Sequence, residues 1–130
     1  MKYFLDTHIL IWHAEESSLL NSNVLAIIRN PANIVYVSHA SFWEIVIKSS
    51  IGKLKMSVSL LELRRLVIQN QFQILDFDFK HYETFESLPF FHNDPFDRML
   101  IAQAIAEDMT LITQDDKLAP YQPQVSILWN

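Results

Sequence analysis

Four acidic residues stand where an acid is least expected, against or inside the most apolar stretches of the chain. Asp6 closes the run Tyr3-Phe4-Leu5, and Glu44 interrupts Phe42-Trp43 and Ile45-Val46-Ile47. Asp97 opens Met99-Leu100-Ile101-Ala102, and Asp115 follows Leu111-Ile112-Thr113. A charge held in a dry environment costs several kcal/mol unless it is paired or neutralised. Four acids drawn from separate parts of the chain point to one shared partner, and a divalent cation is the simplest. Hard oxygen ligands on rigid elements suit Mg²⁺ or Mn²⁺, and such a site activates water and stabilises charge on a phosphoryl oxygen. No rival nucleophile presents itself: there is no cysteine, and no serine lies in a recognisable elbow.

Each acid also has a plainer reading. Asp6 or Thr7 suits the cap of the helix that follows. Ser41-x-x-Glu44 has capping-box spacing. Asp97 is the third residue after Asp94, where the helix dipole favours an acid in any case. Asp115 and Asp116 can form an exposed loop pair. The metal reading therefore rests on the joint pattern. Spacing from Thr113 favours Asp115 over Asp116 as the fourth acid, and the register between them stays open.

The elements that must position these acids alternate. Lys2–Leu5 reads as a buried strand and Ile9–Ala14 as a helix. A second helix is expected from Ser18 to Arg29, stopping before Asn30-Pro31. The β-branched and aromatic Ile34–Val37 reads as a strand, followed by a helix that starts at Ser38 or Ser41 and ends at Gly52. Helical spacing marks Ser59 to Asn70, a third strand Phe72–Asp76, and a further helix Phe79 to Ser87. Asp94-Pro95 is a strong helix start, with a capping acid and proline in the first turn; that helix runs to Glu107 or Asp108. Strands at Thr110–Thr113 and Val125–Leu128 complete the chain. Strands alternating with helices imply an α/β fold with a mostly parallel five-stranded sheet covered on both faces. Ligands in such folds bind beyond the carboxyl ends of the strands, and Asp6 and Asp115 both follow directly on strands.

Composition bounds the rest. At 130 residues, half of them hydrophobic and 19% charged, the chain reads as a single domain over residues 1–130. No apolar run reaches the roughly 18 residues of a membrane span, and the N-terminus lacks signal-peptide character, so a soluble cytoplasmic protein is expected. Gly52 is the sole glycine, which argues against a phosphate-cradling glycine-rich loop. The net charge of −5 would argue against nucleic acid, but half of the ten Lys and Arg residues fall within 48–65: Lys48, Lys53, Lys55, Arg64 and Arg65, against Glu62 alone. Basic charge beside an acidic metal pocket is what a polyanionic substrate needs. An ordinary solvated surface is the alternative.

Four blocks together resemble a known family. Phe4-Leu5-Asp6-Thr7-His8, Ser41-Phe42-Trp43-Glu44-Ile45-Val46-Ile47-Lys48, His92 through Ala104 with Asp94-Pro95-Phe96-Asp97-Arg98 at its heart, and Leu111-Ile112-Thr113-Gln114-Asp115 look like PIN-domain proteins. Within that family the similarity is to the VapC-type toxins of bacterial toxin–antitoxin pairs. The resemblance spans nearly the whole chain. It implies a three-layer sandwich and a Mg²⁺- or Mn²⁺-dependent endoribonuclease whose acids match Asp6, Glu44, Asp97 and Asp115. It further implies an activated water that attacks phosphorus in line, leaving a 5′-phosphate and a 3′-hydroxyl, with RNA as substrate, a cognate antitoxin and a homodimer. The adjacent Asp115-Asp116 departs from the usual single acid in the last block. Asp94 is similar to a family residue and is expected to shape the site as a cap, with Thr7, Thr113 and Asp116 as neighbours of the ligands.

Secondary readings complete the expectations. Arg98 is placed either on a phosphate or in a salt bridge with Asp94. Five histidines (His8, His13, His39, His81, His92) permit a metal-free acid–base pair, though no two share a motif. The apolar Ile9, Leu10, Ile11, Trp12, Leu19, Leu20, Val24 and Ile27 on the first two helices are expected to pack the core or to face a partner. Three rivals remain: a non-catalytic PIN-like binding module, a phospho-accepting receiver, which wants paired acids after its first strand and a lysine after its last, and a haloacid dehalogenase-like phosphatase with Asp6 as nucleophile. The phosphatase wants a second acid two residues on, where this chain has His8.

Overall fold

The computed structural model describes residues 1–130. Five strands, β1 (Lys2–Leu5), β2 (Ile34–Ser38), β3 (Gln73–Leu75), β4 (Thr110–Thr113) and β5 (Ile127–Trp129), form one sheet in the order β3-β2-β1-β4-β5. Every pairing is parallel, with Phe4 opposite Tyr36 on one side and Leu111 on the other. Six helices cover it: α1 (Thr7–Ala14), α2 (Ser22–Arg29), α3 (His39–Ser50), α4 (Leu60–Gln69), α5 (Phe79–Ser87) and α6 (Pro95–Ala106). The α/β class and the parallel sheet expected from the sequence are both present.

Alternation along β1 divides the core. Tyr3 and Leu5 join a cluster with Ile9 and Leu10 of α1, Val24 and Ile28 of α2, and Leu63 and Val67 of α4. Phe4 faces the other way, into a cluster with Leu100, Ile101 and Ala104 of α6, Leu118 and Tyr121. This is the three-layer arrangement that an all-parallel sheet requires, since both its faces must be buried. Because β1 connects to β2 on one side while β4 pairs on its other, the sheet has a switch point between β1 and β4. There the carboxyl ends of adjacent strands open a crevice. No helix is long and apolar enough to cross a membrane.

Several boundaries differ from expectation for local reasons. Helix α2 starts at Ser22 rather than Ser18 because the Asn21 side chain caps it, accepting from the Asn23 amide at 2.7 Å. Glu16, at a φ of 52°, turns the chain before that cap. Strand β5 begins at Ile127; Val125 instead closes a turn onto Tyr121 at 3.0 Å and fills the core. A 3-10 turn over Asp116–Tyr121, not anticipated from the sequence, follows Asp115. Of the apolar residues on α1 and α2 and between them, Ile9, Leu10, Ile11, Leu20 and Val24 are buried and Leu19 is exposed.

Candidate metal centre

The site lies at the switch point, where β1 and β4 end. Asp6 caps α1 and also reaches the end of β4. One carboxylate oxygen accepts from the Thr7 amide at 2.6 Å to start α1, and the other accepts from the Thr113 hydroxyl at the end of β4. The same Thr113 oxygen accepts from the Asp115 amide at 3.1 Å, so one buried threonine ties two of the acids together. Burial raises the Asp6 carboxyl above its ordinary value; the Thr113 and Thr7 hydrogen bonds and the charge of His8 oppose the rise, and Glu44 adds to it.

Glu44 does not form the capping box that its spacing with Ser41 allows. Ser38 caps α3, accepting from the Ala40 amide at 2.9 Å, and Ser41 instead accepts from the Thr7 hydroxyl at 2.9 Å. Glu44 is thus inside the helix, 3% exposed. Its Oε2 is ion-paired with Lys48 one turn on, and its Oε1 is buried without a hydrogen-bond partner. For Lys48, partial burial disfavours the charge, but the hydrogen bond and charge of Glu44, with Asp94 and Asp97 beyond, raise its ammonium above the ordinary value.

Asp94 caps α6 as expected, accepting from the Phe96 amide at 2.8 Å and the Asp97 amide at 3.3 Å. This leaves the Asp97 side chain free of capping, and it meets His92 Nε2 at 2.8 Å. Burial, then the nearby Asp6, and further Asp94 and Glu44, push the Asp97 carboxyl from 3.8 to about 7, against the pull of the His92 hydrogen bond. Ligand atoms of His92, Asp97 and Asp115 all lie within 4.8 Å of one another. Thr113 links Asp6 to Asp115, and Asp6 and Glu44 lie near enough to Asp97 for their charges to raise its carboxyl. Asp116 is exposed in the first turn of the 3-10 segment, whereas Asp115 is half-buried.

Arg98 forms no salt bridge with Asp94. It is 6% exposed, its guanidinium 4.8 Å from the centre of the Phe85 ring and 4.6 Å from that of Phe90. Nη1 donates to the Pro89 carbonyl at 3.4 Å. The same carbonyl accepts from the Tyr121 hydroxyl at 2.8 Å, and that hydroxyl accepts from the Phe91 amide at 3.1 Å. Together Arg98 and Tyr121 brace the loop that carries His92.

The five basic residues of 48–65 do not form one stripe. Lys48 and Lys53 line a cleft beside Glu44, while Lys55 and Arg64 line two separate apolar depressions. The histidines are likewise dispersed: His39 pairs with Asp76 at 2.8 Å, His81 is buried against Glu107 at 2.8 Å, and His13 packs on Phe72. His92 as partner of Asp97, and Lys48 as partner of Glu44, are the site residues that sequence reasoning did not single out. The Glu44–Lys48 spacing of one helical turn was a usable signal; the loop between His92 and Asp97 offered none.

The donor set fits a hard divalent cation. His92, Asp97 and Asp115 offer ligand atoms close together, Asp6 and Glu44 lie near enough to act on Asp97 electrostatically, and Glu44 Oε1 is buried with no hydrogen-bond partner. An unsatisfied buried acceptor costs on the order of 1–3 kcal/mol or more when charged, and a cation on the Glu44 side removes that cost.

The PIN domain model matches residues 3–122, and the chain belongs to the PIN-domain family. A search of curated protein sequences gave no match. Among solved structures the chain is similar to VapBC2 from Rickettsia felis, bound to a DNA fragment from its promoter, with TM-score 0.75 and 20% identity over 100% of this chain and 99% of that one. A toxin–antitoxin complex from Klebsiella pneumoniae matches with TM-score 0.64 and 19% identity over 97% and 95%. VapBC-5 from Mycobacterium tuberculosis, a member of the VapBC family of toxin–antitoxin systems, matches with TM-score 0.57 and 16% identity over 98% and 96%. At these identities the likeness is one of fold.

Proposed function

We propose that this protein is a Mg²⁺- or Mn²⁺-dependent endoribonuclease, acting as the toxin of a toxin–antitoxin pair and held in check by a cognate antitoxin. What supports the catalytic part is the acidic site at the switch point: Asp97, with its carboxyl raised to about 7 by burial and by the nearby Asp6, Asp94 and Glu44, lies close to His92 and Asp115, and Glu44 Oε1 is unpartnered. The similarity of fold to subunits of toxin–antitoxin complexes supports the biological role.

Asp6, Glu44, Asp97 and Asp115 would hold the ion, with His92 adjoining. When bound, it supplies an activated water and neutralises charge on the phosphate. The chain's own part is positioning. Thr7 and Thr113 lock both oxygens of Asp6. Lys48 holds one oxygen of Glu44 and leaves the other free. His92 orients Asp97, and Arg98 holds the His92 loop in place. Preorganised donors of this kind need no rearrangement at the moment of reaction. RNA with unstacked bases is the expected substrate class, since recognition of single-stranded segments does not require a duplex groove. In cells, induced expression of the wild-type chain should arrest growth and Asp97→Asn should not; equal growth with both would count against the toxin role.

A further inference from the structure

A cleft of about 240 Å³ opens beside the carboxylates, lined by Thr7, His8, Ile11, Glu44, Lys48, Lys53 and Leu54. Its character is the reverse of the acid cluster: two ammonium groups and an imidazole against a single carboxylate already paired with Lys48. An ammonium has three donors, and Lys48 commits one of them to Glu44; Lys53 makes no side-chain hydrogen bond or salt bridge.

The backbone is built to bring Lys53 there. Gly52, the chain's one glycine, has a φ of 74° and no atom within 4 Å of where a Cβ would stand. The Lys53 amide returns to the Lys48 carbonyl at 2.8 Å, and the Gly52 amide to the Ser49 carbonyl at 3.2 Å. This pair of bonds is the Schellman ending of a helix. It reverses the chain just after α3 and sets Lys53 beside Lys48 on the rim of the cleft. Since the glycine meets no steric limit, what it serves is the turn itself.

We propose that this cleft seats a phosphate of the RNA strand adjoining the scissile one, bound by Lys48 and Lys53, so that Lys48 couples a substrate phosphate to the orientation of Glu44. The inference rests on the nuclease reading and adds to it where the strand runs. The strand leaves the acids over the end of α3, and of the basic residues in 48–65 only these two contact it. A phosphodiester suits the cleft because its lining carries two ammonium groups and an imidazole against one carboxylate that is already paired.

The test uses the full chain with Asp97→Asn, so that RNA is not consumed. Affinity for a fluorescent single-stranded RNA oligonucleotide is measured in Mg²⁺ by anisotropy across a range of salt concentrations. Adding Lys53→Met should weaken binding ~10-fold and reduce the salt slope by about 0.7–1, the loss of one phosphate contact. Lys53→Arg should restore most of both, while Lys2→Met, at the amino end of the central strand β1 and opposite the acids, should change neither. Lys48→Met should reduce the slope similarly. In the otherwise wild-type enzyme it should also weaken Mn²⁺ binding, read by calorimetry without RNA. Wild-type cleavage together with unchanged affinity and slope in both lysine variants overturns the phosphate site alone. A wild-type protein that neither binds nor cuts RNA overturns the nuclease reading and this inference with it.

Discussion

Replacing Asp97 by asparagine should make the metal-free protein more stable while removing its activity. In the folded chain this carboxyl stands at about 7 rather than 3.8, because it is buried and faces Asp6, Asp94 and Glu44. A group whose folded value lies above its unfolded one binds a proton on folding between the two values. Stability is therefore fully present below about 4 and is lost as pH rises through about 7. The span from 3.8 to about 7 amounts to about 4 kcal/mol at 1.36 kcal/mol per pH unit, of which about 3 kcal/mol falls between pH 5 and pH 8. Asparagine keeps a polar group next to His92 and removes the charge. The assay is urea unfolding in EDTA at pH 5 and pH 8, followed by tryptophan fluorescence. Wild type should lose about 3 kcal/mol more than Asp97→Asn between the two pH values, and the variant should be the more stable of the two at pH 8. With Mn²⁺ the order should reverse, since a ligand at 100 times its Kd adds about 2.7 kcal/mol and the variant binds it weakly. Parallel pH dependences of wild type and variant in EDTA would refute the reasoning, because they would show that neither burial nor the neighbouring acids raise the Asp97 carboxyl.

Thr113→Val should destabilise the protein by roughly 1–3 kcal/mol and weaken Mn²⁺ binding, since it strips Asp6 of a donor and the Asp115 amide of its acceptor; calorimetry and urea unfolding read the two effects. Gly52→Ala should cost about 1 kcal/mol through backbone strain alone, as the cleft side offers no steric obstacle; a neutral result in urea unfolding would mean that the turn relaxes. Burial works against ionisation of Glu107, but its hydrogen bonds to Lys80 and His81 outweigh it and lower its carboxyl below the ordinary value. The stability it contributes is therefore present above pH 4.5 and lost as pH falls below it. Glu107→Gln should flatten that acid limb and cost on the order of 1 kcal/mol at neutral pH, as measured by unfolding between pH 3 and pH 7.

The fold was legible because each signal in the sequence had one physical reading. Asp94-Pro95 could hardly be anything but a helix start, and the runs at Lys2–Leu5, Ile34–Val37 and Thr110–Thr113 are too short and apolar for anything but buried strands. The start of α2 was not legible, because Ser18 and Asn21 are both capable caps and only the turn at Glu16 decides between them. Nor was β5, since Val125 is as strand-like as Ile127 but is drawn into the core by the 3-10 segment. In the site, the acids stood out from their apolar surroundings, but the sequence left Asp115 and Asp116 open as the fourth; the structure half-buries Asp115 and exposes Asp116. The partners were harder. Arg98 sits beside acids in the sequence and yet packs between two phenylalanine rings, because the Phe90 loop folds back over it. His92 reaches Asp97 across an irregular loop whose path no periodicity describes.

Incubation of a single-stranded RNA with purified wild-type protein tests the central claim most directly. Internal cleavage should occur in Mn²⁺ or Mg²⁺, leave 5′-phosphate and 3′-hydroxyl ends, stop in EDTA and be absent from Asp97→Asn. Cleavage that persists undiminished in EDTA, or that Asp97→Asn performs equally well, would contradict it.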